Sequence, residues 1–160
     1  MTAPSPDELR DTVDEVAVRG VIAAYADVVN RRAWSELEDL FLPDAPLVLD
    51  LQSAPVRTFD GPRAIGDFIG EAIERFVFFE FVALNVRVLL RTDGHPDRAR
   101  VRTYMAELRQ DRDGTPSRAF GLYQDVVVRG ADGWRFAERH YQSMGRGEYG
   151  LDLMPPPTIH

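Results

Sequence analysis

The sequence predicts an α+β fold in which helices come first and a meander of long strands follows. Apolar residues step by three and four through about residue 31 and again from Ile65 to Ile73, the repeat of helices with one buried face. From Phe78 onward the pattern changes to four strand-like segments, Phe78 to Arg91, Arg98 to Gln110, Ser117 to Arg129 and Trp134 to Ser143. Asp93-Gly94, Asp113-Gly114 and Ala131-Asp132-Gly133 separate them as tight-turn signals. At 160 residues and 44% apolar composition, the chain is long enough for one core and too short for two ordinary domains. Helices followed by hairpin-connected strands place the helices on one face of an antiparallel sheet.

Each element has a local cause. Ser5-Pro6-Asp7-Glu8 reads as a capping box with Pro at the first helical position, so the first helix should run from near residue 6 to near Arg31. Its expected inner stripe is Val13, Val16, Ala17, Gly20, Val21, Ala24 and Val28, with Tyr25 beside it and Asn30 near its inner end. Trp34, Leu37, Leu40 and Phe41 give a short second helix that Pro43 ends. Ala45 to Gln52 is expected as a strand. Asp60-Gly61-Pro62 opens a third helix that buries Ile65, Phe68, Ile69, Ala72 and Ile73. Residues 1–147 form the expected domain, and 148–160, with Pro155-Pro156-Pro157, an extended arm outside the core.

Composition excludes several chemistries. A net charge of −7 argues against nucleic acid and anionic membrane as partners, since both need clustered positive charge. Every one of the 19 basic residues is Arg, so Schiff-base chemistry and a lysine base are out. Without Cys there is no thiol nucleophile and no thiolate metal site. His95 lies in a turn and His160 is the last residue, which leaves His140 as the one histidine within an element and argues against a metal centre. Neither a phosphate loop nor a nucleophile elbow is present, and no cofactor is expected. No run of eighteen apolar residues and no leader pattern occur, so the expected location is cytoplasmic.

Tyr25 to Asn30 with Arg31-Arg32-Ala33-Trp34 and Leu40-Phe41, the Phe59-x-Gly61 helix start, Gly121-x-Tyr123-x-Asp125, and Asp132-Gly133-Trp134-Arg135-Phe136 to Arg139 together resemble the SnoaL-like branch of the nuclear transport factor 2 superfamily. That branch includes polyketide cyclase-like proteins and relatives of scytalone dehydratase and bile-acid dehydratase. The resemblance spans about residues 10 to 145. It implies a cone-shaped, cystatin-like fold, with a curved antiparallel sheet wrapped around the long first helix, a pocket at the open end, and a homodimer through the outer sheet face.

The resemblance also frames the chemistry. Dehydratase-like members carry a Tyr on the first helix, an Asp five residues later, and a His on the strand after the third helix. Here Tyr25 is kept, Asn30 stands at the Asp position and Phe81 best matches the His. Asn cannot take a proton and Phe cannot titrate. Tyr25 reads either as a general acid or oxyanion donor, or as a buried tyrosine with a satisfied hydroxyl. Asn30 would orient a substrate carbonyl or cap the helix.

Tyr104 and Glu107 lie on opposite faces of a regular strand, so one of them faces the pocket; the family pattern favours Tyr104. Arg139 matches a family arginine that would stabilise negative charge, against a structural ion pair with Asp125 or Glu107. The candidate catalytic set is therefore Tyr25, Asn30, Tyr104 and Arg139, with Trp34, Phe81, Tyr123 and His140 as ligand contacts. By alternation His140 shares a face with Trp134 and Phe136, and reads as a base only if that face turns inward, otherwise as a packing residue. The expected ligand is an apolar aromatic or polycyclic molecule. The reaction would be cofactor-free dehydration, isomerisation or cyclisation; the alternative is a non-catalytic binding or dimeric accessory module.

Overall fold

A computed structural model describes residues 3–160; Met1 and Thr2, where the expected domain and leader-free N-terminus begin, lie outside the described residues. Helix α1 runs Pro6–Arg31. Its capping box forms as expected: Ser5 accepts from the Glu8 backbone N–H, and the Glu8 carboxylate accepts from the Ser5 N–H. Arg32, in the left-handed region at φ 57°, ends the helix with its N–H directed at the Val28 and Val29 carbonyls.

A 3-10 turn, Trp34–Glu36, leads into the four-residue α2, Leu37–Leu40. Strands β1 (Pro46–Asp50) and β2 (Arg57–Asp60) precede helix α3 (Gly61–Ile73). Four long strands follow, β3 (Phe76–Leu90), β4 (Arg98–Asp111), β5 (Pro116–Gly130) and β6 (Gly133–Gly147), and then the short β7 (Asp152–Leu153). β2 and β7 have no counterpart among the sequence-predicted elements, because each is too short to show alternation.

The sheet order is β2-β1-β6-β5-β4-β3, with β7 on β6. The sheet is curved and open rather than closed into a barrel. It is also mixed: β1 runs parallel to β6, pairing Leu47 with Arg139 and Leu49 with Tyr141, while the pairings along β3 to β6 are antiparallel. A parallel neighbour needs a long crossover, and here everything from β2 through β5 lies between β1 and β6 in the chain.

α1 packs into the concave face. Its buried stripe is Asp14, Val18, Val21, Ile22, Tyr25, Val28 and Val29. Val13 and Val16, expected inside, are 66% and 64% exposed. Asp14 takes the inward position there because Arg129 of β5 reaches it with a 2.5 Å ion pair, which offsets the cost of burying its carboxylate. Tyr25 is the hub of the core, edge-on to Phe81 at 5.6 Å, Phe136 at 6.0 Å, Phe41 at 6.1 Å and Tyr123 at 6.2 Å.

The lower end of α1 is fixed to β3 by Asn30. Its side-chain amide donates to the Phe81 carbonyl at 3.0 Å, and its amide oxygen accepts from the Phe81 N–H at 2.7 Å. Asn30 therefore neither caps the helix nor orients a ligand. It imitates a neighbouring strand, and the Phe81 backbone has no strand partner on that side.

The arm after residue 147 is tied down. Leu153 pairs with Gly145, Gln52 donates to the Pro155 carbonyl, and Gln124 both donates to the Thr158 carbonyl and accepts from the His160 N–H. Gln124 points away from α1, so the arm crosses the outer sheet face. No helix among the described residues is long and apolar enough to cross a membrane.

The Asn30 clamp needs a donor and an acceptor on one side chain. Asn30→Asp keeps only the acceptor and Asn30→Ala keeps neither, so each should lower unfolding free energy by about 1–3 kcal/mol in urea titrations. An Asp variant as stable as the parent would show that the clamp carries no weight.

Candidate functional site

A cavity of about 330 Å³ lies between α3, β1 and the ends of β3, β4 and β6 nearest the clamp. α3 contributes Phe68, Ile69, Ala72 and Ile73, and β1 contributes Leu47 and Leu49. Phe76, Phe79 and Phe81 of β3 form the facing wall. The floor is phenolic, with Tyr25 from α1, Tyr123 from β5 and Tyr141 from β6.

Each phenol is placed by a different device. Tyr25 sits on the inner stripe of α1 and Tyr123 on the inner face of β5. Tyr141 lies across Gly121, where a Cβ would stand 2.2 Å from the tyrosine ring, so only glycine lets the ring lie flat on β5. Burial raises the pKa of all three. Arg139 opposes the rise at Tyr25 and Tyr123, while nearby Arg146 and Arg109 oppose it at Tyr141. The phenols are thus protonated donors at neutral pH, and none is available as a phenolate base.

The charged lining is Glu107 with four arginines, Arg57, Arg75, Arg109 and Arg146. Glu107 is ion-paired to Arg109 two residues along the same strand, and both side chains are more than four-fifths buried. Among the described residues Glu107 is the one carboxylate in the wall, and hence the proton acceptor that the cavity holds. No cluster of three or more His, Asp or Glu able to hold a metal ion occurs among the described residues.

Arg139 lies one layer beneath the phenols. It is fully buried, with its guanidinium carbon 3.8 Å from the Tyr123 ring centre, 4.0 Å from that of Tyr25 and 4.6 Å from that of Phe136. Asp125 faces it across the β5–β6 pairing at 3.4 Å, also fully buried. Burial pushes the Asp125 carboxyl up to about 7 against the pull of the guanidinium.

Residues 10–140 match the family model of the SnoaL-like domain, over most of the chain. The chain belongs to the SnoaL-like domain family. No curated protein matches it in sequence. Solved structures show the same fold for this SnoaL-like chain at low identity. A protein provisionally named scytalone dehydratase from Novosphingobium aromaticivorans superposes with a TM-score of 0.75 at 18% identity, covering 94% of this chain and 97% of the other. A hexachlorocyclohexane dehydrochlorinase, LinA-type3 from Novosphingobium barchaimii, gives 0.74 at 16% identity, over 92% and 99%. An NTF2-like protein with a cystatin-like fold, also from N. aromaticivorans, gives 0.70 at 20% identity, over 85% of each chain.

Within the SnoaL-like fold the sequence candidates separate. Tyr25, Phe81 and Tyr123 line the cavity. Asn30 is spent on the clamp, and Arg139 supports the floor from behind. Trp34 packs on the back of α3, its side chain only 3.1–3.2 Å from where Cβ atoms at Gly66 and Gly70 would lie, so α3 separates it from the cavity.

Tyr104 faces outward, opposite Asn85 and Leu122, while Glu107 shares the inner face with Val101, Thr103 and Met105. The sequence held that signal, because Arg98, Arg100 and Arg102 mark the solvent face and Tyr104 continues their alternation. His140 faces outward as well. An extra residue in β6, Ala137, lies between the pairs Val126–Glu138 and Val127–Phe136, so Arg139 rather than His140 shares the inner face with Phe136. A second extra residue, Met144, brings Arg146 inward opposite Ala119. Sequence alternation alone passes over Tyr141 and Arg146 for this reason, and Arg57 because its strand is too short to register.

The Asp125 carboxyl carbon should titrate by NMR with a midpoint near 7 rather than 3.8. Since the folded state then holds a proton that the unfolded chain has released, this group's contribution to stability is complete below about pH 4 and is lost as pH rises through about 7. The pH dependence of stability in Asp125→Asn should lack that component; an identical profile would contradict the assignment.

Proposed function

We propose that the cavity binds an apolar ring compound and catalyses its dehydration, elimination or isomerisation without a cofactor. The observation that carries this reading is the joint placement of three protonated phenols and a single carboxylate, Glu107, in one apolar cavity of about 330 Å³. Glu107 would take the proton. Tyr25, Tyr123 or Tyr141 would donate a hydrogen bond to the oxygen or leaving group on which negative charge develops. Arg139 acts by holding the Tyr25 and Tyr123 rings, and its charge offsets part of the effect of burial on their hydroxyls. A provisionally named scytalone dehydratase and a dehydrochlorinase both carry names of elimination reactions, and the shared fold supports that reaction class for this chain without naming a substrate.

A non-catalytic binding role is favoured by one observation: Glu107, the carboxylate that would take the proton, is already ion-paired to Arg109. Turnover assays on compounds found by ligand screening separate the two. For an enzyme, Glu107→Gln should lower kcat by roughly 10²–10⁴-fold with little change in KM, and Tyr25→Phe should also act mainly on kcat. Binding without turnover, with both variants altering affinity alone, would leave the binding role.

We also propose a homodimer through the outer sheet face, where Phe78, Leu84 and Leu108 are exposed beside Tyr104. Light scattering should give twice the 18.1 kDa chain mass, and Leu108→Asp should halve it. A monomeric parent would end this proposal without touching the cavity.

A further inference from the structure

The cavity's charge is opposite to that of the protein. The chain carries −7 overall, yet the wall presents four arginines against one glutamate. Two of the four are accounted for: Arg109 is paired with Glu107, and Arg75 meets Asp111 at 3.4 Å. Arg57 and Arg146 have no carboxylate partner among the described residues. Arg146 lines the cavity, and its Nε has no hydrogen-bond partner among the described residues.

Both cations are held in place. Arg57 lies over the stacked rings of Phe59 and Phe68, 4.8 and 5.1 Å from their centres. Arg146 is turned inward by the Met144 bulge and stands close enough to Tyr141 for its charge to act on the phenol. A guanidinium and a phenol offer parallel donors to a planar anion, whereas the rest of the lining is aliphatic and aromatic.

Resting on the pocket reading above, we infer that the ligand is an aromatic or polycyclic acid. Its ring lies against Tyr25, Phe81 and Phe79, and its carboxylate is received by Arg146 and the Tyr141 hydroxyl, with Arg57 at the rim. Glu107 does not repel such a ligand, because Arg109 already balances it.

The test compares 2-naphthoate with its neutral isostere 2-naphthamide by calorimetry on the full chain near pH 7. The acid should bind roughly tenfold or more tightly, and the preference should shrink as salt rises. Arg146→Met should bring the ratio of the two affinities close to one by weakening the acid far more than the amide. Arg57→Met, at an exposed position that does not put folding at stake, should reduce the ratio partially. If the amide binds as well as the acid, or the preference survives both substitutions, this inference is overturned and the cavity reading stands. If neither compound binds at millimolar concentration, both fall.

Discussion

The buried guanidinium of Arg139 is the constraint on which the rest of the structure depends. Removing such a charge from water costs several kcal/mol. Here the cost is offset by Asp125 and by the faces of Tyr25, Tyr123 and Phe136, which come from α1, β5 and β6. Satisfying one charge therefore fixes the position of the helix against two strands. It also determines where the Tyr25 and Tyr123 rings lie, and those rings are the floor of the cavity. The ion pair need not raise net stability to matter, since a buried pair often does no better than packed apolar residues.

Bulges do the rest of the positioning. A strand of fifteen residues with strict alternation would present one parity throughout. β6 instead changes parity at Ala137 and again at Met144, and β3 does so at Val77 and Leu84. These extra residues bend the strands around α1 and rotate selected side chains inward. Arg139, Tyr141 and Arg146 all owe their inward aim to the two bulges of β6. The curvature that makes a cavity and the chemistry that lines it thus have the same local cause.

Asn30 and Phe81, which the family resemblance matches to an Asp and a His, act here as a structural unit. The two are bonded to each other through the Phe81 backbone. They form a clamp with an aromatic wall beside it. The charged and phenolic lining comes from strands farther along the sheet, Glu107 and Arg109 from β4 and Tyr141 and Arg146 from β6, on its inner face. The result is a cavity with cationic and phenolic donors and one carboxylate, inside a protein whose net charge is −7.

Much of this was legible in the sequence by itself. The capping box at Ser5, the turn signals at Asp93, Asp113 and Asp132, and the change from helical to strand periodicity determined the element order, because each depends on residues a few positions apart. Tyr25 and Tyr123 could be placed on inner faces for the same reason, the regular repeat of their elements, whereas Phe81 was singled out by its match to the family pattern. The outward turn of Tyr104 was legible too, in the arginine stripe it continues. Only the tertiary structure decided that β1 joins β6 in parallel, that Val13 and Val16 yield the inner stripe to Asp14, and that Arg139 faces the core while His140 does not. Those outcomes rest on a partner distant in the chain or on a single inserted residue in a strand, and neither leaves a mark on local periodicity.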